Sequence, residues 1–429
     1  MNTRVKQFLK KFPLTAPLYR MAKSAVASGA EVRIPEVEPI GARKSEAYGK
    51  QLRLNLLTPS VDTAHVFGGI ATAIRFFEEL RKKNGCDARI ITCDAPVISE
   101  TSVAPSDYVV VSAEEDSLKS YQLISFADRS GKTIPVAEND IFVATGWWTA
   151  YTVKAVLHAQ SEYFGVPVRP LVYMIQDYEP GFYPWSSRYL MADSTYRMDS
   201  PVYAVINSSI LRDYFVNEGY SFSAMWSFDP VLNPALISCL PEKETVPKKK
   251  QILVYGRPHT DRNAFTLLVC ALRLFAGKMS DVAEWTFLSA GETHETIDLG
   301  NGATLKAAGK MPLRDYAQTM CDSYAGISLM VSPHPSYPPL EMSTFGVKTI
   351  TNCYKNKDIA DFNGNIVSLK NCSPETVAEA LLGICENYSG TGTVYKNTDY
   401  AKGGAPFGTV TDELSEKLRL QFGVAENPQ

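Results

Sequence analysis

Residues 324–352, YAGISLMVSPHPSYPPLEMSTFGVKTITN, contain two apolar runs separated by a loop with four prolines. Residues 327–331 have the length and apolar content of a buried strand, and residues 347–351 predict a second strand. Because the prolines interrupt regular structure, we expect a short helix over residues 341–346. Glu341 would then lie at a helix N-terminus beside the carboxyl end of a strand, where open α/β sheets bind ligands. The alternative is that Glu341 only complements the helix dipole.

The composition is that of an ordinary globular protein. The chain has 429 residues, a length typical of two or three domains, with 45% hydrophobic and 21% charged residues. A formal net charge of −3 gives no support for nucleic acid as a partner. The eight cysteines form no CxxC pair and no cluster with histidine, which indicates reduced thiols in a cytosolic protein and no metal site. No apolar run approaches the roughly 20 residues that span a bilayer.

The N-terminus is basic. Six cations, interleaved with apolar residues, precede the first acid, Glu31. These charges argue against a signal peptide, whose central region is apolar. Residues 1–30 therefore predict a helical segment that either lies peripherally on an anionic membrane surface or packs on the protein's own surface. The polar residues 31–49 predict a linker, so that residues 1–49 precede the first domain.

Residues 50–240 predict an N-terminal α/β domain. A leucine-rich strand, a loop and a helix that begins near Gly68 and Gly69 form the first half of a βαβ unit. Adjacent glycines let a ligand approach the backbone, and a helix N-terminus attracts an anion such as a diphosphate. Tight packing explains such a glycine pair equally well. Further strands, alternating with helices, are predicted at 88–92, 108–111, 141–145, 171–175 and 202–206.

Polar or aromatic residues follow three of these predicted strands. Trp147 follows the strand at 141–145, Gln176 and Asp177 follow the strand at 171–175, and Asn207 follows the strand at 202–206. Any one of them can be a helix cap. Because the carboxyl ends of parallel strands meet at one edge of a sheet, the set predicts a pocket there.

A second domain is predicted after residues 241–250, PEKETVPKKK, which have the composition of a linker. The strand and helix pattern restarts over residues 251–400. A last helix within residues 401–429 is expected, either free or packed back on the N-terminal domain. Two doubly wound α/β domains of this kind face each other across a deep cleft, a favoured place for a ligand.

Two arginines mark a strand–loop–helix corner of the second domain. Arg257 follows a predicted strand beside Gly256, and Arg262 precedes the next predicted helix. Two guanidinium groups at this corner can clamp a diphosphate and neutralise a nucleotide leaving group. Either arginine alone fits an ordinary surface charge. Glu341 can accept hydrogen bonds from a ribose or deoxyribose hydroxyl.

Motifs of other chemistries are absent from the sequence. No GxGxxG follows a strand, and neither GxxxxGK[ST] nor GxSxG occurs, which disfavours dinucleotide oxidoreductases, P-loop NTPases and α/β-hydrolases. No D-x-D motif is present to hold a divalent metal on a nucleotide diphosphate, and Asp177-Tyr-Glu179 comes nearest. We therefore expect cationic side chains and helix N-termini to do the work of a metal.

The C-terminal half resembles the retaining glycosyltransferases of the GT-B fold, in the large family-four group. That group carries Gly-Arg, a basic residue near a helix start, and a Glu-x7-Glu element before Gly-x-Pro-Val. The corresponding residues here are Gly256-Arg257, Arg262, Glu341 as the second glutamate, and Gly346. The chain departs from the pattern at the first glutamate, where Pro333 stands.

A narrower resemblance covers most of residues 50–420. The segments NLLTPS (55–60), FGGI (67–70), IQDYEPGFYP (175–184) and SPHPSYPPLEM (332–342) are similar to rhamnosyltransferases that build bacterial surface polysaccharides, including S-layer glycans. This resemblance implies dTDP-β-L-rhamnose as the donor, with no cofactor. It also implies a growing, lipid-linked rhamnan or O-antigen chain as the acceptor, at the cytoplasmic face of the cell membrane.

The resemblance also implies roles for the residues. The donor diphosphate would contact Arg257 and Arg262 from one side and Gly68 and Gly69 from the other, and Glu341 would bind the sugar of the nucleoside. The transferred sugar or the acceptor hydroxyl would be faced by Asp177, Gln176 and His334. The aromatic platforms for sugars would be Trp147, Tyr178 and Tyr183.

Two alternatives belong to other functional classes. The first is a catalytically inactive GT-B module that binds a glycan or a partner transferase. The second is a GT-B nucleotide-sugar epimerase, which would interconvert free nucleotide sugars without an acceptor. Transfer from dTDP-rhamnose to an acceptor distinguishes the transferase from both.

Overall fold

The computed structural model describes residues 34–62, 68–97 and 101–422. The chain divides into two compact units, residues 1–38 and residues 39–429. The described part of the first unit contains one 3₁₀ turn, Pro35–Val37. The predicted membrane-binding segment, residues 1–30, lies outside the described residues. No helix in the described ranges combines the length and the apolar character needed to cross a bilayer.

The strands described in the N-terminal half are β1 (Gly41–Lys44), β2 (Arg53–Thr58), β3 (Asp87–Thr92), β4 (Val109–Val111), β5 (Tyr121–Ser125), β6 (Thr133–Val136), β7 (Asp140–Ala144), β8 (Leu171–Ile175), β9 (Val202–Asn207) and β10 (Ala224–Phe228). Eight of them form a wholly parallel central sheet in the order β10-β9-β8-β7-β2-β3-β5-β4, and β1 and β6 form a separate pair. The helices are α1 (Gly68–Asn84), α2 (Trp147–Phe164), α3 (Ser187–Ser194), α4 (Ser209–Asn217) and α5 (Pro234–Ile237). Apolar clusters cover both faces of the sheet, as expected for parallel strands.

The strands described in the C-terminal half are β11 (Thr245–Pro247), β12 (Lys249–Gly256), β13 (Thr286–Gly291), β14 (Ile297–Gly300), β15 (Ala303–Gly309), β16 (Ser323–Ile327), β17 (Lys348–Asn352), β18 (Ile366–Leu369) and β19 (Thr391–Thr393). Seven of them form the central sheet in the order β14-β15-β13-β12-β16-β17-β18, with β14 antiparallel at one edge, and β11 and β19 form a separate pair. The helices are α6 (Phe265–Lys278), α7 (Leu313–Asp322), α8 (Tyr337–Thr344), α9 (Pro374–Glu386), α10 (Asp399–Lys402) and α11 (Gly408–Phe422).

The predicted strand at 327–331 is wrong in its position. The observed strand is β16, and it is the segment that pairs with both β12 and β17. After Ser328 the chain leaves the sheet, where Leu329 and Met330 remain buried and Val331 is 43% exposed. The apolar run therefore indicated burial for most of its length, and burial alone does not distinguish a strand from a buried loop.

The predicted helix at 341–346 is also displaced. Helix α8 begins at Tyr337, so that Glu341 lies one turn inside it and not at its N-terminus. Pro338 and Pro339 occupy its first turn, where backbone N–H groups have no acceptor within the helix and proline is well tolerated. These two prolines were expected to exclude a helix, and instead they lie in the first turn of one.

The two predicted linkers contain regular structure. In the first, β1 pairs in parallel with β6. In the second, β11 pairs with β19, and the run of lysines that follows enters β12. Lys248 is buried, and its Nζ donates to the carbonyl oxygens of Met320 and Phe345, both at 2.8 Å. The composition of the run does not reveal these acceptors, because they lie 72 and 97 residues after Lys248 in the sequence.

The last helix lies on the N-terminal half. Leu414 and Leu418 of α11 join the apolar cluster beneath α1. Lys83 Nζ donates to Asp412 at 2.6 Å, and Asn84 donates to Ser415 at 2.9 Å. Helix α11 therefore packs against the N-terminal half.

Candidate active site between the two sheets

The carboxyl ends of the two sheets meet. Asn207, at the end of β9, donates from Nδ2 to the hydroxyl of Tyr337 on α8 at 3.0 Å. Asp177, just after β8, forms an ion pair with Arg262, with Oδ2 and Nε 3.5 Å apart. The hydroxyl of Ser332 donates to Oδ1 of Asp177. The sequence predicted a pocket at this edge, and the structure brings Asp177, Asn207 and Arg262 together there.

The proline-rich loop after β16 is held from two sides. The backbone N–H of Met330 donates to Asn352 Oδ1 at 2.7 Å, and Asn352 Nδ2 donates back to the Met330 carbonyl at 3.1 Å. The N–H of Val331 donates to the Arg262 carbonyl at 2.7 Å. Ser336, next to α8, has a φ of 68°, an uncommon conformation for a residue with a side chain. The loop is thus a fixed wall of the cleft.

His334 is a neutral imidazole with an unused donor. Its side chain is buried, and the backbone N–H of Ser336 donates to Nδ1 at 3.0 Å. The ring proton of the neutral form must therefore be on Nε2. Among the residues that the structure describes, Nε2 has no hydrogen-bond partner, although it is buried. Burial lowers the pKa of His334 to about 4, so the ring is uncharged at neutral pH.

Lys357 completes a group that we call the cleft cluster: Asp177, Arg262, His334 and Lys357. Its side chain is only 1% exposed, and Nζ donates to the Met330 carbonyl at 2.6 Å. Burial lowers the pKa of Lys357 to about 8, and the carboxylate of Asp177 partly opposes this. Two cations and one carboxylate give the cluster an excess of positive charge below that pH. Lys357 was not predicted from the sequence, because it lies in a polar run that shows no sign of burial.

The two predicted arginines differ in their surroundings. The guanidinium of Arg262 lies 4.2 Å from the ring centre of Phe182 and faces Asp177 across the cleft. Arg257 turns to Glu292 on its own domain, with Nε 3.0 Å from Oε1. Burial opposes ionisation of Glu292, but hydrogen bonds from the N–H of His259 and from neighbouring side chains outweigh it and lower the pKa. Of the two arginines, Arg262 is therefore the one that belongs to the cleft cluster.

The remaining predicted donor-binding residues are Glu341 on α8 and the glycine pair that begins α1. Burial raises the pKa of Glu341 to about 7, and Tyr316 partly offsets this. Gly68 and Gly69 begin α1, and a Cβ on Gly69 would lie 3.0 Å from Oε1 of Gln176. The contact is with the end of a flexible side chain, which would have to move by a few tenths of an ångström, whereas a Cβ on Gly68 would meet no atom of the described residues within 4 Å.

The predicted aromatic platform is wrong for Trp147. Its ring is fully buried in the core, and Nε1 donates to the Tyr183 hydroxyl at 3.0 Å. No face of the indole is open to a sugar. Tyr178 is half-buried, and its hydroxyl lies 3.1 Å from that of Tyr189 and 3.0 Å from that of Tyr220. Trp147 and Tyr178 therefore support the wall of the cleft.

Glu179 is a buried carboxyl beside the cleft. The Tyr173 hydroxyl donates to it at 2.9 Å, and burial raises its pKa to about 8. Asp177 and Glu179 thus face different surroundings, an ion pair and a tyrosine-lined core. Among the described residues, no group of three or more His, Cys, Asp and Glu side chains is placed to hold a metal ion.

Two family models match the chain, one to each half. The WsaF N-terminal domain matches residues 53–209, and the WsaF C-terminal domain matches residues 250–382. The chain belongs to the WsaF family. The O-antigen biosynthesis protein RfbC of Myxococcus xanthus is 24% identical over 288 residues, which cover 67% of this chain and 21% of RfbC. The chain thus spans about a fifth of the length of that relative.

Solved structures show the fold of this WsaF-family chain. Sucrose-phosphate synthase from Thermosynechococcus elongatus aligns over 87% of this chain and 100% of its own, with a TM-score of 0.54 and 11% identity. The α,α-trehalose 6-phosphate synthase of Burkholderia multivorans aligns over 88% and 100%, with a TM-score of 0.50 and 8% identity. The predicted GT-B fold is confirmed.

Proposed function

We propose that this protein is a glycosyltransferase that transfers L-rhamnose from dTDP-β-L-rhamnose to a growing surface polysaccharide. The observation that carries the proposal is the cleft cluster. It combines an excess of positive charge with a buried, unpartnered donor, and it draws on both domains. A diphosphate leaving group with a sugar attached supplies the negative charge and the acceptor atoms that this arrangement lacks.

Each residue has a role in this proposal. Arg262 and Lys357 neutralise the diphosphate as the bond between it and C1 of the sugar breaks, and Arg257 extends this field from the loop. His334 donates from Nε2 to the transferred sugar, in place of the glutamate that family-four enzymes have near that position. Glu341 accepts from the hydroxyl of the nucleoside sugar, and the N-terminus of α1 faces the diphosphate.

The reaction proceeds with retention in this proposal. The acceptor hydroxyl attacks C1 from the face that the diphosphate leaves, and the acceptor proton passes to a diphosphate oxygen. No protein base is needed, and the product linkage is β. Asp177 and Gln176 orient the acceptor hydroxyl. Cations of the chain take the place of a divalent metal.

The acceptor in this proposal is lipid-linked, and residues 1–30 hold the protein at the cytoplasmic face of the membrane through their basic charge. A chain that lacks residues 1–30 should no longer sediment with vesicles that contain anionic phospholipid, while it still binds the donor. Sedimentation equal to that of the full chain would contradict the membrane role of this segment.

A calorimetric panel tests the donor. We expect dTDP-β-L-rhamnose to bind at least tenfold more tightly than UDP-glucose or GDP-mannose, with the same affinity in magnesium and in EDTA. Transfer to a rhamnan acceptor identifies the transferase. Donor binding without transfer would indicate an inactive module, and conversion of the donor without any acceptor would indicate an epimerase.

Asp177→Asn tests the role of the carboxylate. The variant should lose at least tenfold in transfer and keep donor binding within about threefold, because the amide still fits but no longer pairs with Arg262. Unchanged transfer would exclude a role for Asp177 in catalysis.

A further inference from the structure

The indole of Trp185 is 95% exposed, although tryptophan is a residue that proteins bury. Its ring lies parallel to that of Tyr189 on α3, with an interplanar angle of 1° and ring centres 5.9 Å apart. We call this pair the outer platform. An exposed aromatic ring with a fixed partner offers a flat apolar face, and such faces are typical of binding surfaces.

The outer platform is coupled to the cleft. The Tyr189 hydroxyl lies 3.1 Å from the Tyr178 hydroxyl, which in turn lies 3.0 Å from that of Tyr220. Tyr220 donates to Asp193 on α3. The backbone N–H of Tyr178 donates to Asp177 at 2.8 Å. These bonds fix α3 relative to the cleft cluster, so the outer platform is a rigid continuation of the cleft wall.

We propose that the outer platform binds a sugar ring of the acceptor oligosaccharide at a distance from its reacting end. This inference rests on the proposed function and adds a requirement for an acceptor of several sugars. The C–H groups on one face of a pyranose pack against the negative face of an indole. The sugar hydroxyls remain free for the exposed polar residues beside the ring, Ser186 and Ser187.

The position of the outer platform sets the length of the acceptor. The side chains of Tyr178 and Tyr189 stand between Trp185 and Asp177. A sugar on Trp185 is therefore not the one whose hydroxyl reacts. A single sugar reaches only the cleft, whereas a chain of several sugars contacts both places at once and gains affinity without a new reacting group.

The neighbours of Trp185 favour a glycan over a membrane surface. Leu190 is the other large apolar side chain exposed on this segment, and Ser186, Ser187 and Arg188 lie between them in the chain. Arg197, at the end of the segment, pairs with Asp193 at 3.1 Å. Membrane-binding surfaces have a large contiguous apolar area and a marked excess of cations. Residues 185–197 have neither a large apolar area nor a marked excess of cations.

The test compares two acceptors and three variants. The acceptors are methyl α-L-rhamnoside and a synthetic rhamnose hexasaccharide, used with dTDP-β-L-rhamnose. For the wild type, KM should be at least tenfold lower for the hexasaccharide. Trp185→Ala should raise KM for the hexasaccharide about tenfold with kcat changed less than twofold, and Trp185→Tyr should restore most of the loss. Leu420→Ala, an exposed apolar residue on α11, is the control and should match the wild type.

Several results would overturn the inference. Equal KM values for the two acceptors in the wild type, or an unchanged hexasaccharide KM in Trp185→Ala, would show that the outer platform does not bind the acceptor. A loss of sedimentation with anionic vesicles in Trp185→Ala, with the hexasaccharide KM unchanged, would assign the surface to a membrane. A wild type that neither binds nor uses dTDP-rhamnose would contradict the proposed function itself, and is recognised by calorimetry with the donor alone.

Discussion

Two clusters of buried charged residues in this protein have similar side chains but differ in how completely those side chains are hydrogen-bonded. In the sheet-base cluster, Arg53, Arg89 and Asp140 lie near the amino ends of β2, β3 and β7. Arg53 donates two hydrogen bonds to Asp140, at 2.7 and 2.8 Å, and Arg89 donates one at 3.1 Å. The other nitrogens of Arg89 bond to Asn55 and to the Pro135 carbonyl. Every member of this cluster belongs to one domain.

The cleft cluster contains cations and a carboxylate as well, but its hydrogen bonds are incomplete. Nε2 of His334 and Nε of Arg262 are buried and have no hydrogen-bond partner in the described part of the chain, and the ion pair of Arg262 with Asp177 spans 3.5 Å. An unsatisfied buried donor costs about 1–3 kcal/mol, which a ligand that accepts the bond can recover. The comparison indicates that complete pairing holds a domain together and incomplete pairing marks the site.

The largest effect on stability is expected at the sheet-base cluster. Asp140→Ala leaves two buried guanidinium groups without their carboxylate, which should lower the free energy of unfolding by about 3–5 kcal/mol. Asp177→Ala, the matched change in the cleft cluster, should cost less, about 1–3 kcal/mol, because Arg262 is partly exposed to solvent while the Ser332 hydroxyl loses its buried acceptor. Urea denaturation followed by circular dichroism measures both. Equal losses would remove the distinction between the clusters.

The largest effect on activity is expected at Arg262. Arg262→Met should lower kcat/KM for transfer about 10²–10³-fold, corresponding to roughly 3–4 kcal/mol of lost stabilisation of the leaving group. Arg257→Met should lower it about tenfold or less, since Arg257 is already engaged by Glu292. Steady-state transfer assays with dTDP-rhamnose make the measurement. A larger loss for Arg257 would place the diphosphate nearer to Glu292 than proposed.

Donor affinity should depend on pH in a bell-shaped manner. The ionised form of Glu341 accepts the nucleoside hydroxyl, so affinity should rise as pH increases to its pKa of about 7. The protonated form of Lys357 binds the diphosphate, so affinity should fall as pH rises through about 8. Each limb should approach tenfold per pH unit. Calorimetry with dTDP-rhamnose, whose diphosphate does not titrate in this range, gives the profile.

Two variants assign the limbs of that profile. Glu341→Gln should remove the acid limb and leave the alkaline one, and Lys357→Met should do the reverse. If both limbs persist in both variants, other groups titrate in the cleft.

The smallest effect is expected on the stability of Lys357→Met. The folded-state pKa of Lys357 lies below its ordinary value of about 10.4, so burial of the charge destabilises the fold fully below pH 8. This penalty disappears as pH rises toward 10.4, and stability gains from it over that window. Lys357→Met should be as stable as the wild type or slightly more stable at pH 7. Its free energy of unfolding should not show the increase between about pH 8 and pH 10.4 that is expected for the wild type. A large loss at pH 7 would give Lys357 the structural role of Arg53.

Local patterns in the sequence predicted much of the fold. Ser373, Pro374 and Glu375 combine an N-cap residue, a proline for the first turn and an early acid, which is a local pattern for a helix start, and α9 begins at Pro374 with the Ser373 hydroxyl as its cap. The strand at 171–175 matches β8 in both bounds. Such signals depend on residues within a few positions of one another. The errors at β16 and α8 arose because sheet pairing and the tolerance of a helix's first turn for proline outweighed the local pattern.

By itself, the sequence determined the alternation of strands and helices, the division into two α/β halves, and the polar residues that follow the strands. Only the tertiary structure decided which of these residues act together. It buried Trp147 and left Trp185 open, it enclosed Lys357 from a polar run, and it left Nε2 of His334 without a partner. The physical reason is that burial and pairing depend on groups contributed by distant segments and by both domains, and spacing along one chain does not record them.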